Sequence, residues 1–159
     1  MNNMKKSILF LALGFAATTA NAQKIQEKAV PIPVKTTFTT TYPKTEVEAW
    51  ELEDGNYEAK FDYNKIDYSV LYDAKGTVLE TEMEIKTTEL PKAVSDYIAK
   101  NVADKKIKEA AKITDAKGTV TYEAQTGDTD YIFDANGNFI SKKEVKEDDK
   151  DDEKDEKKK

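Results

Sequence analysis

The chain of 159 residues has a formal net charge of −6, contains no histidine and no cysteine, and takes all 25 of its basic residues from lysine. Without imidazole or thiol groups it can form neither a Ser–His or Cys–His catalytic pair nor an ordinary zinc site. An acidic chain without arginine is also poorly suited to phosphate backbones, so we expect no nucleic-acid partner.

The first 22 residues have the pattern of a secretory signal peptide. Lys5 and Lys6 precede an apolar stretch over residues 8–17, and residues 20–22 read Ala-Asn-Ala, which suits a cleavage site. The apolar stretch is too short to span a bilayer, which takes about 20 apolar residues. We therefore expect cleavage after Ala22, export to the periplasm or the medium, and no transmembrane segment. Loss of the two lysines takes the formal net charge from −6 to −8.

The mature chain opens with a polar leader over residues 23–30 and then a first helix. Val34, Phe38 and Tyr42 recur at intervals of four, which places them on one face of a helix that begins at the preceding prolines and ends at Pro43. The threonines between them favour a helix only weakly, so its apolar stripe must pack against other elements.

Four strands are predicted after the first helix, because apolar and charged residues alternate and turn residues separate the runs. Alternation of this kind is typical of antiparallel strands that are covered on one face only. The predicted strands are Glu46–Leu52, Tyr57–Tyr63, Asp67–Asp73 and Thr77–Ile85.

The second half repeats this order. A helix to about residue 102 carries an apolar stripe, and four strands follow it. The first of these strands would also suit a helix, and its correspondence to Glu46–Leu52 favours the strand. The stripe consists of Val94, Tyr97, Ile98 and Val102. The strands are Lys106–Ile113, Thr119–Gln125, Thr129–Asp134 and Asn138–Val145.

Residues 31–86 and 87–145 therefore form two tandem repeats. Asp73-Ala-Lys-Gly76 recurs as Asp134-Ala-Asn-Gly137 at a shift of 61 residues. Together the repeats predict an α+β fold, an antiparallel sheet of about eight strands with both helices packed on one face. The predicted sheet-side core is Trp50, Leu52, Tyr57, Phe61, Tyr68, Val70, Tyr72, Leu79, Met83, Tyr122, Tyr131 and Phe133.

Residues 146–159 hold eight acids, six lysines and no apolar residue, which predicts a disordered charged tail. Loose calcium association with the tail is the lesser alternative. Asp134, Asn136 and Asn138 resemble the opening of a calcium loop, but Gly137 comes too early and Val145 stands where the loop needs a glutamate. We expect no cofactor and no metal site.

Several ordered motifs resemble the PepSY-like family, whose members are also described as β-lactamase-inhibitor-like. The resemblance covers about residues 31–145. It implies tandem repeats of one helix and four strands, a helix-free sheet face available to a protein, and an exported protein without catalytic residues. The motifs are Pro33-x4-Phe38-x3-Tyr42-Pro43, Trp50-Glu51, Gly55-x-Tyr57-Glu58-Ala59-x-Phe61 and Tyr72-Asp73-x2-Gly76, then Leu90-Pro91-x2-Val94, Tyr122-Glu123-Ala124 and Phe133-Asp134-x2-Gly137.

An acidic strip is predicted on the open face of the first repeat, where it could meet a basic partner surface. The alternative is an ordinary solvated face, because exposed strands normally carry charges. On the first interpretation, charge reversal at Glu80, Glu82 and Glu84 weakens partner capture and hardly changes the melting temperature. The strip consists of Glu58, Lys60, Asp62, Asp67, Ser69, Glu80, Glu82 and Glu84.

These features predict an exported, non-enzymatic module that binds an unknown protein through its helix-free face, in its finer form an inhibitor of a peptidase or hydrolase that acts by occlusion. The alternative is a cation-binding or structural envelope protein that uses its acidic face and tail. Catalysis by paired carboxylates is not expected, because an exposed sheet gives little desolvation to raise a carboxyl pKa.

Overall fold

A computed structural model describes residues 22–144. The predicted signal segment, Ala22 apart, and the predicted tail over residues 146–159 lie outside the described residues, as does Val145. Within the described part, no helix is long and apolar enough to span a bilayer.

The described residues form two α-helices and nine strands in the order of the two predicted repeats. A single 3-10 turn precedes each helix, at Glu27–Ala29 and Thr87–Glu89. Helix α1 spans Ile32–Thr41 and helix α2 spans Lys92–Asn101. The strands are β1 Gln23–Ile25, β2 Ala49–Glu53, β3 Asn56–Tyr63, β4 Ile66–Tyr72, β5 Val78–Glu84, β6 Glu109–Asp115, β7 Val120–Thr126, β8 Thr129–Asp134 and β9 Phe139–Glu144.

All nine strands belong to one antiparallel sheet in which each strand pairs with the next along the chain. The two halves join where β5 pairs β6, with Glu82 opposite Ile113. The predicted α+β fold and the strand assignment of the segment after α2 are confirmed. The sheet has nine strands rather than about eight because Gln23–Ile25, in the predicted leader, pairs with β2.

Helix α1 forms although five of its ten residues are threonine. Threonine hydroxyls along it donate to the carbonyl four residues back, as Thr36 Oγ1 does to the Ile32 carbonyl at 2.9 Å and Thr40 Oγ1 to the Thr36 carbonyl at 2.8 Å. Its stripe of Val34 and Phe38 is buried. The helix is therefore held by packing, since its intrinsic propensity is low.

The two helices lie on the same face of the sheet, each over its own core. The first core is aromatic: the ring of Phe38 lies 4.9 Å from Phe61 and 5.9 Å from Trp50, both edge-on. In the second, Ala110 and Ala124 occupy the sheet beneath α2, and Val94 and Ile98 are buried against them. The halves thus share a backbone plan and differ in the size of the residues that fill it.

The residues of the predicted sheet-side core are either buried or half-buried in the structure. Trp50, Phe61, Val70, Tyr72 and Phe133 are buried. The remaining tyrosines are half-buried and pack against the cores, at positions 57, 68, 122 and 131. Leu52, Leu79 and Met83 are also half-buried.

Leu79 leaves the expected alternation because the β4–β5 register shifts beside it, so that Leu71 faces Glu80 and Tyr72 faces Val78.

The turns with the sequence Asp-Ala-Lys/Asn-Gly connect neighbouring strands, and the first of them also contacts helix α1. In the first, Asp73 Oδ1 accepts the Thr77 N–H at 2.8 Å, and Gly76 has a φ of 82°. A Cβ added to Gly76 would lie 2.6 Å from the Pro33 carbonyl oxygen at the start of α1. Gly118 has the same φ in an equivalent turn, with nothing within 4 Å of such a Cβ.

These two glycines provide a matched test. Gly118→Ala should lower the free energy of unfolding by about 1 kcal/mol, the cost of a side chain at a left-handed φ. Gly76→Ala should cost about 3 kcal/mol, since the same strain is joined by a clash with backbone that cannot move aside cheaply. Urea denaturation of the two variants measures the difference, and equal costs would contradict the contact between turn and helix.

Candidate functional site

The face of the sheet opposite the helices carries a row of glutamates on alternate strands. Directly paired residues share a face, and Glu82 pairs with Ser69 on one side and Ile113 on the other. By the same pairing, Glu58 on β3 lies beside Leu71, and Glu123 on β7 lies beside Ile132. Strands β3, β5 and β7 therefore supply glutamates to this face, and the strands between them supply aliphatic side chains.

This helix-free face is concave. The charge of Lys143 on β9 acts on Glu53 on β2, yet in a flat sheet those strands would lie about 34 Å apart. Charges interact appreciably only over about 10 Å at ordinary ionic strength. The sheet must therefore curve so that β2 and β9 approach one another across the face.

Rolling buries much of the predicted acidic strip. Glu58, Ser69 and Glu82 have an exposed fraction of 0 % and Glu80 of 6 %, although no helix covers them in the described part of the chain. Lys60, Asp67 and Glu84 are half-buried, and Asp62 is exposed.

The predicted open, solvated face is therefore wrong for four of the eight strip residues, because Leu71, Ile113 and Ile132 pack between the glutamates on the concave side. Reversal at Glu80 and Glu82 would bury two lysines, so we now expect it to lower the melting temperature.

Polar contacts are concentrated at the two ends of the concave face. Lys60 Nζ lies 2.9 Å from Glu51 Oε2 and 3.7 Å from Glu58 Oε2, and Ser69 Oγ donates to Glu58 Oε1. At the other end, Gln125 Nε2 donates to Asp130 Oδ1 at 3.0 Å.

The concave face also holds buried carboxyl oxygens without hydrogen-bond partners among the described residues. A buried ionised carboxylate without a hydrogen-bond partner is disfavoured, so burial shifts these groups toward the neutral form. The oxygens are Oε2 of Glu53, Glu58 and Glu123, Oε1 of Glu80, and both oxygens of Glu82.

Burial raises the carboxyl pKa values on this face. It is the largest cause in each case, and it raises the pKa of Glu58 and that of Glu80 to about 7 and that of Asp130 to about 6. The pKa values of Glu82 and Glu123 lie well above the usual range, since burial is reinforced by neighbouring carboxyls. The expectation of little desolvation on an exposed sheet is therefore wrong.

A second group of acids lies at the rim. Burial, together with hydrogen bonds to the carboxyls of Asp62 and Glu84, raises the pKa of Asp67 to about 7. Beside this group, a recess of about 460 Å³ is lined by residues 43–48, Asp62, Tyr63 and Asn64. The accessible part of the predicted strip thus lies at one end of the sheet.

Sequence reasoning missed Glu51, Glu53, Glu123 and Asp130 as members of the concave face. The repeat offered a signal for one of them: Tyr57-Glu58-Ala59 recurs as Tyr122-Glu123-Ala124, and both glutamates occupy the same place in their half of the sheet. Nothing local marked Glu53 or Asp130, whose burial depends on strands distant in the sequence.

Metal ligation has no assembled site in residues 22–144, where no three acidic side chains are placed to hold an ion. Asp134, which resembled the start of a calcium loop, has its Oδ1 occupied by the N–H groups of Asn136 and Asn138 at 2.8 and 2.9 Å. The Asn138 side-chain amide, which donates to Oδ2 at 2.8 Å, lowers the pKa of Asp134 most, and the backbone bonds add to this and hold a turn.

Comparisons with known proteins agree with this architecture. The family described as "Putative beta-lactamase-inhibitor-like, PepSY-like" matches twice, over residues 15–80 and 65–141. No curated protein matches.

Solved structures from Bacteroides share the fold. One from B. eggerthii, described as belonging to "putative periplasmic proteins", has a TM-score of 0.64 at 19% identity and covers 72% of this chain and 88% of that one. A DUF2874 family protein from B. uniformis has a TM-score of 0.62 at 20% identity, with coverage of 72% and 88%. A "BLIP-like protein" from B. fragilis has a TM-score of 0.53 at 19% identity, with coverage of 71% and 84%.

The buried carboxyls predict that stability falls as the pH rises. Glu58 is protonated in the folded chain up to about pH 7 but would ionise near its ordinary pKa of 4.5 when unfolded. Its contribution is complete below 4.5 and is lost as the pH passes 7, a loss of about 3 kcal/mol. Urea denaturation at about pH 5 and pH 8 should show a lower free energy of unfolding at pH 8.

Variants can assign this dependence. Glu58→Gln should flatten the profile and be more stable than the unmodified protein at the higher pH, whereas Glu27→Gln, at an exposed carboxylate, should leave it unchanged. Asp73, Asp115 and Asp134 do not interfere, because turn hydrogen bonds lower their pKa values and their effect appears only in acid. Greater stability at pH 8 than at pH 5 would refute the enclosed-carboxyl account.

Proposed function

This chain belongs to the PepSY-like family, and from that premise we propose that it is an exported, non-enzymatic module that binds a protein through the helix-free face of its sheet. One observation carries the proposal: both helices pack on one side, so the opposite side is a continuous concave surface of nine strands with an excess of acids. A preformed surface of this kind loses little conformational entropy on binding.

Export is supported by residues 1–22, whose pattern suits a signal peptide. The similar structure from B. eggerthii is described as periplasmic, which agrees with the same destination for this chain. We propose cleavage after Ala22 and residence in the periplasm or outside the cell.

The rim is where a partner would first make contact. Asp62 is exposed, Asp67 and Glu84 are half-buried, and the recess formed by residues 43–48 opens beside them. A basic partner surface would be attracted to this end of the sheet and would then lie across the concave face.

Inhibition by occlusion is the finer form of this proposal. A partner whose catalytic cleft faces the rim would be closed to its substrate without any chemistry on this chain. The B. fragilis neighbour is described as BLIP-like, and inhibition of a peptidase or hydrolase is the corresponding action for this chain.

A binding role fits the raised carboxyl pKa values better than catalysis does. General acid catalysis needs a carboxyl that reaches the substrate, whereas Glu58 and Glu82 have no exposed surface and Glu123 is 6 % exposed.

Charge reversal at the rim tests the proposal. Asp62→Lys with Glu84→Lys should reduce capture of envelope proteins by the mature chain at least tenfold, because the rim would then repel a basic surface. Glu27→Lys with Asp128→Lys changes the net charge equally at exposed positions outside the strip and should retain capture. Pull-down with mass spectrometry identifies the partner, and titration with that purified partner measures the affinities.

Two results would contradict the proposal. Equal affinity of both reversed variants for the purified partner would remove the rim from consideration. Loss of capture on deleting residues 146–159 alone, with the rim intact, would favour the cation-binding or scaffold alternative, in which the tail is the active part.

A further inference from the structure

The concave face contains more acids than cations. We define the acidic trough as the carboxyl side chains that line it. Lys60 reaches the trough at one end and Lys143 at the other, and among residues 22–144 only acidic groups act on Glu82 in its middle. The trough consists of Glu51, Glu53, Glu58, Glu80, Glu82, Glu123 and Asp130.

Glu82 is the centre of this cluster. It lies on β5, the fifth of nine strands, with an exposed fraction of 0 % and with neither carboxyl oxygen hydrogen-bonded among the described residues. The charges that act on it come from Glu123, Glu58, Glu80 and Asp130, all acidic. Buried acceptors that line one space, with no donor to Glu82 among the described residues, point to a ligand that brings donors and positive charge.

We propose that the middle of the acidic trough receives lysine side chains from a basic polypeptide, with Glu80, Glu82 and Glu123 as acceptors. The proposal rests on the proposed function, in that the ligand is part of a protein. An ammonium group offers three donors and one positive charge, which is what these oxygens lack.

The chain itself shows that the trough accepts this chemistry. Lys60 forms ion pairs with Glu51 and Glu58 at its near end. Lys143, from the last strand, acts on Glu123 and Asp130 at its far end and also on Glu53 on β2. A partner lysine would occupy the middle as these two lysines occupy the ends.

Lysines fit the spacing of the acceptors better than a metal ion does. Glu58, Glu82 and Glu123 come from alternate strands, about 10 Å apart at their backbones, and no three acidic groups in residues 22–144 are placed around one ion. Long flexible side chains on an extended segment, with lysines on one side about 7 Å apart, can reach separated acceptors one at a time.

Insertion must release protons. In the free protein burial raises the pKa values of these acceptors, that of Glu80 to about 7, so the set retains protons at neutral pH. When a lysine ammonium arrives, the O–H bond of the acid breaks, the proton passes to the buffer, and the carboxylate forms an ion pair with the ammonium. Each pair formed in this way releases up to one proton.

Entrance requires the two edges of the sheet to separate by about the width of a side chain, because Glu82 has no exposed surface. The attraction between Glu53 on β2 and Lys143 on β9 spans that mouth. Lys143 therefore helps to hold the two edges together, and it also competes with a partner lysine for the carboxyl groups of the trough. Its neighbour Lys142 is exposed and pairs with Tyr131 on the helix side, which makes it a matched control.

Calorimetry on mature 23–159 at pH 7 tests the inference, with a ten-residue peptide of alternating lysine and serine and its glutamate–serine counterpart as probes. Only the lysine peptide should bind, with proton release seen as a difference between buffers of unequal protonation enthalpy. Glu82→Gln with Glu123→Gln should weaken binding at least tenfold and reduce the protons released. Glu27→Gln with Asp128→Asn replaces the same number of carboxyl groups at exposed positions and should do neither.

The lysine pair on β9 gives a second arm that does not require substitution in the middle of the trough. Lys143→Met should tighten peptide binding several-fold by removing the competitor, whereas Lys142→Met should leave it unchanged. No lysine-peptide binding, binding without proton release, or identical behaviour of the Glu82/Glu123 and Glu27/Asp128 variants would overturn the inference. Displacement of the peptide by stoichiometric calcium would also overturn it.

Failure here is distinguishable from failure of the proposed function. If the Glu82/Glu123 variant still captures the partner that the rim variant loses, the lysine trough is refuted and the binding module stands. If the unmodified chain captures no partner, the module itself is refuted.

Discussion

Rolling of the sheet toward its helix-free side sets the chemistry of this molecule, because it decides which acids meet water. Alternation along a strand sends every second side chain to that side whether or not anything covers it. Once the first and last strands approach, those side chains share an enclosed space, and Leu71, Ile113 and Ile132 exclude water from between the carboxyls. The protonated form of each acid then becomes the less costly one.

The two faces of the sheet divide stability from recognition. Under the helices lie two apolar cores, one aromatic around Phe38 and one of smaller residues around Ile98, and their burial supplies the favourable free energy of folding. That free energy must also offset the unsatisfied carboxyl oxygens on the other face. Because the helix side is well packed, the sheet can tolerate polar groups without hydrogen-bond partners on its other side. Such locally unfavourable groups are common at binding sites.

The internal repeat extends to this second face. Glu58 and Glu123 hold the same position in their halves, each beside a buried aliphatic residue of the next strand. The repeats differ in their cations, since Lys60 pairs with Glu58 within the first half, whereas Lys143, from the last strand, acts on Glu123 and Asp130 in the second half and also on Glu53 on β2. Each half thus has one lysine near its acids, and the lysine of the second half also acts across the sheet. In the further inference, a partner's lysines would replace the protons that remain.

Local pattern was enough to predict both helices, eight of the nine strands and the assignment of Glu58, Glu82 and Glu84 to one face, because the periods of helix and strand are properties of neighbouring residues. The short strand at Gln23–Ile25 was not predicted, because only its pairing with β2 makes it a strand. The domain boundaries at residues 86 and 145 stay a prediction. Whether a charged face lies open or enclosed was decided by tertiary structure alone, because it depends on the curvature of nine strands and on groups as distant as Glu53 and Lys143. Alternation along a strand assigns side chains to a face but does not determine how the sheet curves. The sequence therefore predicted an acidic strip, and the tertiary structure encloses it as a trough.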